Sequence, residues 1–314
     1  MKKRLIMAVF VLFSYEIWAQ ESETVYNFLR LPVSAHAAAL GGDNITIDDD
    51  DPTMVFHNPA LASNVSDRSL NLNYMTYMEG VKVASASFVK AYRKRATWAV
   101  EAQYIDYGSM KHTTADNEIL GTVSAKDVVL GGTFSYALSD KIAGGITAKV
   151  VSSNIADYSS MAVAVDLGLN YFNPELNLSV SAVARNLGGQ VKAYEDEFEK
   201  LPVDLQLGVS KRLGQSPLRF SITMVRMNKW DDKFINHLVF GAEAFLADNI
   251  WIGGGLNPRR TNEMKIEDSE SSSSHGAGLS FGGGLQLERF KLQMAYAKYH
   301  VSASSLLFNV TYTL

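Results

Sequence analysis

The chain has no cysteine among its 314 residues. That absence excludes disulfides, thiolate metal sites and a lipid-anchored N-terminal cysteine. Beyond its first residues the chain also lacks any apolar run approaching the roughly 18 residues that a membrane-crossing helix needs. A mature form resident in a membrane would therefore have to cross it as a closed barrel. Charge is scarce as well: 20% of residues are charged, below the roughly 25% usual in soluble domains. The net charge of -4 leaves no basic surface for a nucleic-acid partner. No HExxH, GxSxG, Walker or CxxC spacing occurs and the six histidines are scattered, so no residue pattern argues for an enzyme, a metal or another cofactor. What is plentiful is glycine, with 23 residues, and tyrosine, with 14, a composition that favours turns and strands.

Residues 1–19 read as a secretory signal. Lys2, Lys3 and Arg4 form a positive start, Leu5 to Phe13 an apolar core, and Ile17-Trp18-Ala19 a cleavage site before Gln20, with Glu16 an awkward neighbour. An uncleaved N-terminal anchor is the alternative, and the apolar run is short for one.

From Arg68 onward the chain alternates with period two. Met161, Val163, Val165, Leu167, Leu169 and Tyr171 form an apolar row against Ala162, Ala164, Asp166, Gly168 and Asn170; Leu279, Phe281 and Leu285 oppose Ser280, Gly282 and Gly284. About ten residues, apolar on one face and small or polar on the other, is what a barrel wall in lipid requires. Segmentation gives fourteen strands, near 68–78, 81–92, 95–106, 127–137, 141–152, 159–172, 175–186, 202–212, 217–227, 235–247, 249–257, 276–287, 290–300 and 304–314. The number is even, as single-chain bacterial barrels require. Connections after even strands are short, such as Arg93-Lys94 and Ser139-Asp140. Long ones (Tyr107 to Lys126, Asn186 to Leu201, Pro258 to His275) follow odd strands only, which assigns the short turns to the periplasm and the long loops to the outside.

A soluble sandwich or propeller also alternates, but its polar row would collect Lys and Glu. Here that row is mostly Ala, Gly, Ser, Thr and Asn, suited to a crowded lumen. Tyr74 and Tyr77, Tyr171 and Phe172, and Tyr296 and Tyr299 sit near strand ends, as interfacial girdles would. Charges of both signs also fall on the inward row: Glu101, Lys149, Asp166, Arg185, Arg219 and Glu243. Buried charges persist when paired, so these residues predict a network tying strands and plug together.

Ahead of the strands, Tyr26 to Ser63 reads YNFLRLPVSAHAAALGGDNITIDDDDPTMVFHNPALAS. The small residues Ala35 and Ala37 to Ala39 lead to Gly41-Gly42, then to Asp48 to Asp51, then to His57-Asn58-Pro59-Ala60. Asn58, being before a proline, is kept out of the helical region and must turn the chain. Ser34 and His36 lie two apart, but with no orienting third group they read as polar residues of a plug. Four adjacent Asp point in different directions, unlike the spaced ligands of a calcium loop, and predict a solvated turn or a contact to the wall. His57 reads as a hydrogen-bonding residue.

This stretch resembles the N-terminal hatch of FadL-type outer-membrane barrels, in which a small-residue segment, a Gly-Gly pair and an Asn-Pro-Ala turn plug the lumen. On YNFLRLPVSAHAAALGG and NPAL it is most similar, within that superfamily, to the PorV/PorQ family of the type IX secretion system, with four Asp where an acidic pair is usual. The resemblance implies an all-β protein: a 14-stranded antiparallel outer-membrane β-barrel (68–314) behind a hatch (20–67) carrying Gly41, Gly42, Asn58 and Pro59. It further implies a non-enzymatic barrel in the bilayer that anchors a surface partner of the PorZ type. Through that partner it would meet a sortase-like PorU and the barrel PorV, in a complex that joins cargo to anionic lipopolysaccharide. Transport of fatty acids or other hydrophobic compounds, as by FadL, is the alternative. The outer loops are the candidate partner surface: Glu195, Asp196 and Glu197 in one, and Trp230 among charges in another, where a membrane-interface Trp is the competing reading.

Overall fold

The computed structural model describes residues 24–314 apart from 114, 115, 117, 215, 231, 265, 268–271, 274, 275 and 300–302. The signal-peptide reading and much of the Ser-rich stretch before His275 therefore lie outside the described residues. Fourteen antiparallel strands close into one barrel. In order they are β1 Ser69–Thr76, β2 Lys82–Tyr92, β3 Ala96–Thr113, β4 Ile119–Ala137, β5 Ile142–Ile155, β6 Tyr158–Asn173 and β7 Leu178–Lys192. The second half comprises β8 Asp204–Arg212, β9 Leu218–Met224, β10 Leu238–Ala247, β11 Ile250–Leu256, β12 Leu279–Gln286, β13 Phe290–Ala297 and β14 Ser305–Thr313. The ring is closed by β1 on β14, from Ser69↔Thr313 to Thr76↔Leu306. Closure leaves no unpaired edge around the wall, the condition for strands to cross a bilayer.

The side chains are arranged inside out relative to a soluble sheet. Large apolar residues are exposed: Leu72 at 55%, Leu130 at 58% and Phe281 at 59%. Their neighbours in sequence, such as Asn71, Asn73, Thr133 and Ser280, are buried. An apolar row turned outward all round has only lipid to face. This rules out the sandwich and propeller alternatives.

The fourteen strands fall where the alternation places them, with two differences. The long outer loop expected over Tyr107 to Lys126 is instead a continuation of the β3–β4 hairpin, paired as far as Thr113↔Ile119 beyond a bulge near Gly108. The loop expected from Asn186 likewise begins as strand, since β7 pairs with β6 up to Lys192↔Met161 across bulges near Val165 and Met161. The β3–β4 extension rises beyond the apolar band, where both faces of a strand meet water and no apolar row marks it. The β7 extension packs inward on the hatch through Gln190 and Tyr26, and its bulges and the Gly188-Gly189 pair break the alternation that would have marked it. The tyrosine girdle also needs correction at one place. Tyr299 is buried, with Tyr77 tilted against it at 6.1 Å. Both lie past their strand ends, where period two no longer sets direction, and they line the mouth of the lumen. Tyr74 does face outward.

The connections after even strands span at most a few residues, while those after β7, β9 and β11 are long. The connection after β11 carries a short helix, Pro258–Glu263, whose first turn is capped by Asn257. Residues 24–67 fold inside the barrel as a chain of short helical turns joined by extended segments.

Candidate functional site

The hatch touches the wall all round. Tyr26 hydrogen-bonds Ser160 on β6, the amide of Ala35 donates to Asn309 on β14, and the amide of Gly41 donates to Ser280 on β12 at 3.0 Å. Ser34 caps the small-residue helix Ala35–Ala39, its hydroxyl accepting from the amide of Ala37 at 3.2 Å. His57 accepts from the amide of Ser34 at 3.4 Å. His36 turns to the wall instead: its Nε2 lies 2.8 Å from Glu243 on β10.

Gly41 and Gly42 both adopt φ of 100°, the left-handed region that side chains avoid. The pair passes against glycine on the wall: a Cβ on Gly255 would collide with the amide of Gly41, and one on Gly42 would come within 2.7 Å of Arg260. The Asn58-Pro59 turn is seated the same way. Asn58 is extended, with φ of -148°, as a residue before proline should be. Its Oδ1 accepts from the amide of Ala60 at 3.0 Å and its Nδ2 donates to the carbonyl of Ile45 at 3.1 Å. Gly145 and Gly168 are the wall residues beneath, where a Cβ would strike Pro59, Ala60 or the Asn58 side chain. The hatch motif and the wall glycines are thus one docking surface, built from both sides by omitting side chains.

The four Asp are contacts to the wall, one of the two expected roles. Arg219 on β9 holds Asp49 through Nη2 to Oδ2 at 2.5 Å and Nη1 to Oδ1 at 2.9 Å. Its Nε donates to Glu243 at 2.5 Å. Lys291 on β13 pairs with Asp50 at 2.6 Å, and Asp51 accepts from Gln293 at 2.9 Å and faces His36 at 3.8 Å. Within the hatch these contacts move titrations. Burial disfavours a charged His36, but the carboxylates of Glu243 and Asp51 more than offset it and raise its pKa to about 9. Burial likewise opposes the charge of Asp49, and Arg219 outweighs it, lowering its pKa to about 2. Burial, with Asp49 beside it, raises Asp48 to about 6. His57 is lowered to about 3 by burial, with Arg185 adding to it.

The expected charge network is real but divided. Arg219 and Glu243 join the hatch lock. Lys149 and Asp166, 2.7 Å apart, instead form a group within the wall with Asn186, to which Lys149 donates at 2.7 Å. Arg185 donates from Nη2 to the carbonyl of Leu29 at 3.2 Å. Glu101 departs from the expectation, since its buried Oε2 has no hydrogen-bond partner. His36 and Lys291 belong to the lock although sequence reasoning did not select them. For Lys291 the signal was the alternation itself, which places it on an inward row where an unpaired charge is costly; His36, in a hatch helix, had no such signal.

Two cavities lie at opposite ends of the barrel with the hatch between them. The outer one, about 700 Å³, is bounded by Tyr77, Val225, Asn257, Met264 and Tyr299 near connections that follow odd strands, and by hatch residues Leu29 and Leu31. The inner one, about 550 Å³, is bounded by Asp248, Asn249 and Gln286 at connections that follow even strands, and by His36 and Asp49 to Asp51. The outer loops place the remaining candidates away from both main cavities. Glu195, Asp196 and Glu197 are exposed in the β7–β8 connection around a shallow recess that includes Tyr194 and Glu199. Trp230 is exposed in the β9–β10 connection, its ring parallel to that of exposed Phe234 at 6.4 Å and tilted on His237 at 4.6 Å. Among the described residues, no hydrogen bond, ion pair or ring contact joins the acidic recess to Trp230.

These features define a class: an outer-membrane β-barrel of fourteen strands closed by its own N-terminal segment. No protein-family model matches the sequence, and no curated protein sequence matches it. Solved structures do. A Pseudomonas aeruginosa FadL homologue aligns with a TM-score of 0.56 at 10% identity, over 89% of this chain and 98% of that one. The Pseudomonas putida toluene transporter TodX gives 0.55 at 13%, over 88% and 95%. The CymD monoaromatic hydrocarbon channel gives 0.55 at 13%, over 92% and 98%. At such identities the likeness is one of fold, and the fold is that of the FadL-like outer-membrane barrels.

Proposed function

We propose that this chain is a non-enzymatic outer-membrane conduit for hydrophobic compounds, closed at rest by its hatch. The observation that carries the reading is the pair of cavities, one toward each barrel end, each lined in part by hatch residues. Both volumes fall in the roughly 300–1,000 Å³ range of small-molecule sites. The FadL-like fold supports the same reading, its solved neighbours including a toluene transporter and a monoaromatic hydrocarbon channel.

A second reading rests on a different observation. Trp230 and Phe234 are stacked and exposed beyond the end of β9, and Phe198, exposed at 67%, projects from the acidic strip Glu195 to Glu199. Exposed aromatic anchors flanked by charge suit a surface partner. This is the attachment role of the PorV/PorQ family, with a PorZ-like protein seated on the outer loops.

One experiment separates the two: purification of the full-length protein from its native outer membrane, with mass spectrometry of bound small molecules and proteins together. A bound fatty acid or hydrocarbon, with no protein in stoichiometric amount, is expected. A stoichiometric surface protein, lost in Trp230→Ala, with empty cavities would overturn the conduit in favour of the dock.

A further inference from the structure

The chain is acidic overall, with a net charge of -4, yet its positive charge gathers at one place on the barrel rim. Arg93, Lys94 and Arg95 fill the β2–β3 connection, whereas each of the other connections after even strands carries at most one cation. Lys90 joins them from the wall. It is exposed on the lipid-facing row of β2, between Phe88 and Tyr92, and its cross-strand partner is Trp98. The side chains of Arg93, Lys94 and Arg95 are exposed as well. Apart from a ring contact of Arg93, none of these cations has a hydrogen bond or ion pair among the described residues. Asp67 approaches the same end of β2, but it is engaged by the backbone amide of Ala91 at 2.9 Å and by Arg68 at 3.7 Å.

The backbone and the wall beside the turn separate this cluster from ordinary solubilising charge. Arg93 has φ of 61°, the left-handed region that glycine and asparagine adopt far more readily than arginine. Its guanidinium carbon lies 5.1 Å from the centroid of the Tyr92 ring, which directs the group along the rim. The cations also run straight into an aromatic edge. Tyr92, Trp98, Phe134 and Tyr136 are all exposed, Trp98 is paired with Phe134 on β4, and Phe88 meets Trp98 edge-on at 6.4 Å. Tyrosine and tryptophan in such a position sit at the level of lipid headgroups. Lys90, two residues before the end of β2, reaches that level by laying its aliphatic stem along the wall. The cluster therefore lies at the depth of the phosphates, and its short connection assigns it to the periplasmic leaflet.

We infer that the β2–β3 turn is a binding site for an anionic phospholipid headgroup of the periplasmic leaflet. Arg93, Lys94 and Arg95 hold the phosphate, and Lys90 holds it against the wall. Charge complementarity selects an anionic headgroup over a zwitterionic one. The occupant is a lipid because the cations are continuous with the lipid-facing surface, where acyl chains already lie against Phe88, Trp98 and Phe134. The site is outside the lumen and stands whether the barrel conducts small molecules or docks a surface protein.

The test is native mass spectrometry of the full-length protein in detergent micelles, titrated with dioleoyl phosphatidylglycerol or dioleoyl phosphatidylcholine, with inorganic phosphate as competitor. Phosphatidylglycerol is expected to bind about tenfold or more tighter than phosphatidylcholine, since each basic residue near an anionic surface contributes about fivefold. Lys94→Gln should weaken phosphatidylglycerol about fivefold, and the triple variant Arg93→Gln, Lys94→Gln, Arg95→Gln roughly a hundredfold, with phosphatidylcholine unchanged. Lys94→Gln alone carries the test if the triple variant does not assemble. Lys211→Gln, at the same end of the barrel on β8, should leave binding unchanged. Equal binding of the two lipids, indifferent to the variants, overturns the site. A loss in Lys211→Gln as large as in Lys94→Gln overturns it in favour of diffuse attraction to the rim. Inorganic phosphate displacing phosphatidylglycerol at equal concentration overturns the lipid in favour of a free anion.

Discussion

Arg219→Met should release the hatch without opening the barrel. The side chain is 9% exposed and is held by Glu243 at 2.5 Å and by both oxygens of Asp49. Removing one member of a buried ion pair costs about 3–5 kcal/mol, because the remaining charge is left uncompensated. Asp49 is 41% exposed and recovers some hydration, whereas Glu243 is 2% exposed and does not. The lower end, about 3 kcal/mol, is therefore the working value. At about 1.4 kcal/mol per decade this is roughly a hundredfold rise in the open population of the hatch. Hydrogen exchange of the full-length protein in detergent micelles reads it directly, with amides of residues 45–58 as the reporter and the β4–β5 pair as the reference. Adding Glu243→Leu should recover part of the loss, since a buried pair replaced by apolar groups is close to neutral. Arg219 and Glu243 are also cross-strand partners. Hatch exchange within threefold of the unmodified protein, or β9–β10 exchange rising as much as the hatch, would refute the reasoning and make Arg219 a wall residue only.

Two further predictions address the same hatch. Its docking should weaken as pH rises above neutral. His36, raised above its ordinary value of 6.5, contributes stability that is complete below about 6.5 and lost as pH rises through about 9. His57, lowered to about 3, is buried neutral, so its contribution is present above about 6.5 and lost as pH falls towards 3. Asp48, raised to about 6, opposes the His57 loss on the acid side, so protease sensitivity of the hatch should rise between pH 7 and 10, and a flat profile there with His36→Gln matching the unmodified protein would count against the lock. Gly168→Ala should push the Asn58-Pro59 turn off the wall at a cost of about 1–3 kcal/mol. Gly132→Ala, where a new Cβ meets nothing within 4 Å, should leave hatch proteolysis unchanged; equal effects of the two would show that strand glycines act through propensity and not through docking.

The barrel was legible because its physics is local. A wall between lipid and a crowded lumen forces a period of two on each strand, so Leu279, Phe281 and Leu285 alternating with Ser280, Gly282 and Gly284 state the strand, its faces and its environment at once. Closure and the even count then placed the short turns at one end. Where both faces are wet, as along Gly108 to Thr113, that contrast vanishes and the hairpin was read as loop. The hatch motif was legible as a set of backbone requirements: glycines for φ of 100° at residues 41 and 42, and an extended Asn58 before Pro59.

Tertiary structure alone decided what the motif touches. Gly145, Gly168 and Gly255 are ordinary strand glycines in sequence, and only their position beneath Pro59 and Gly41 makes them a seat. The run Asp48 to Asp51 announces charge but not partners, since Arg219 and Lys291 lie about 170 and 240 residues further along the chain. His36 shows no signal near its own position, because the groups that hold its proton come from β10 and from a later turn of the hatch. The sequence specifies faces and turns through interactions between near neighbours. Ion pairs, cavities and the closing of one end from the other depend on which strands the ring brings together, a long-range choice that no local period records.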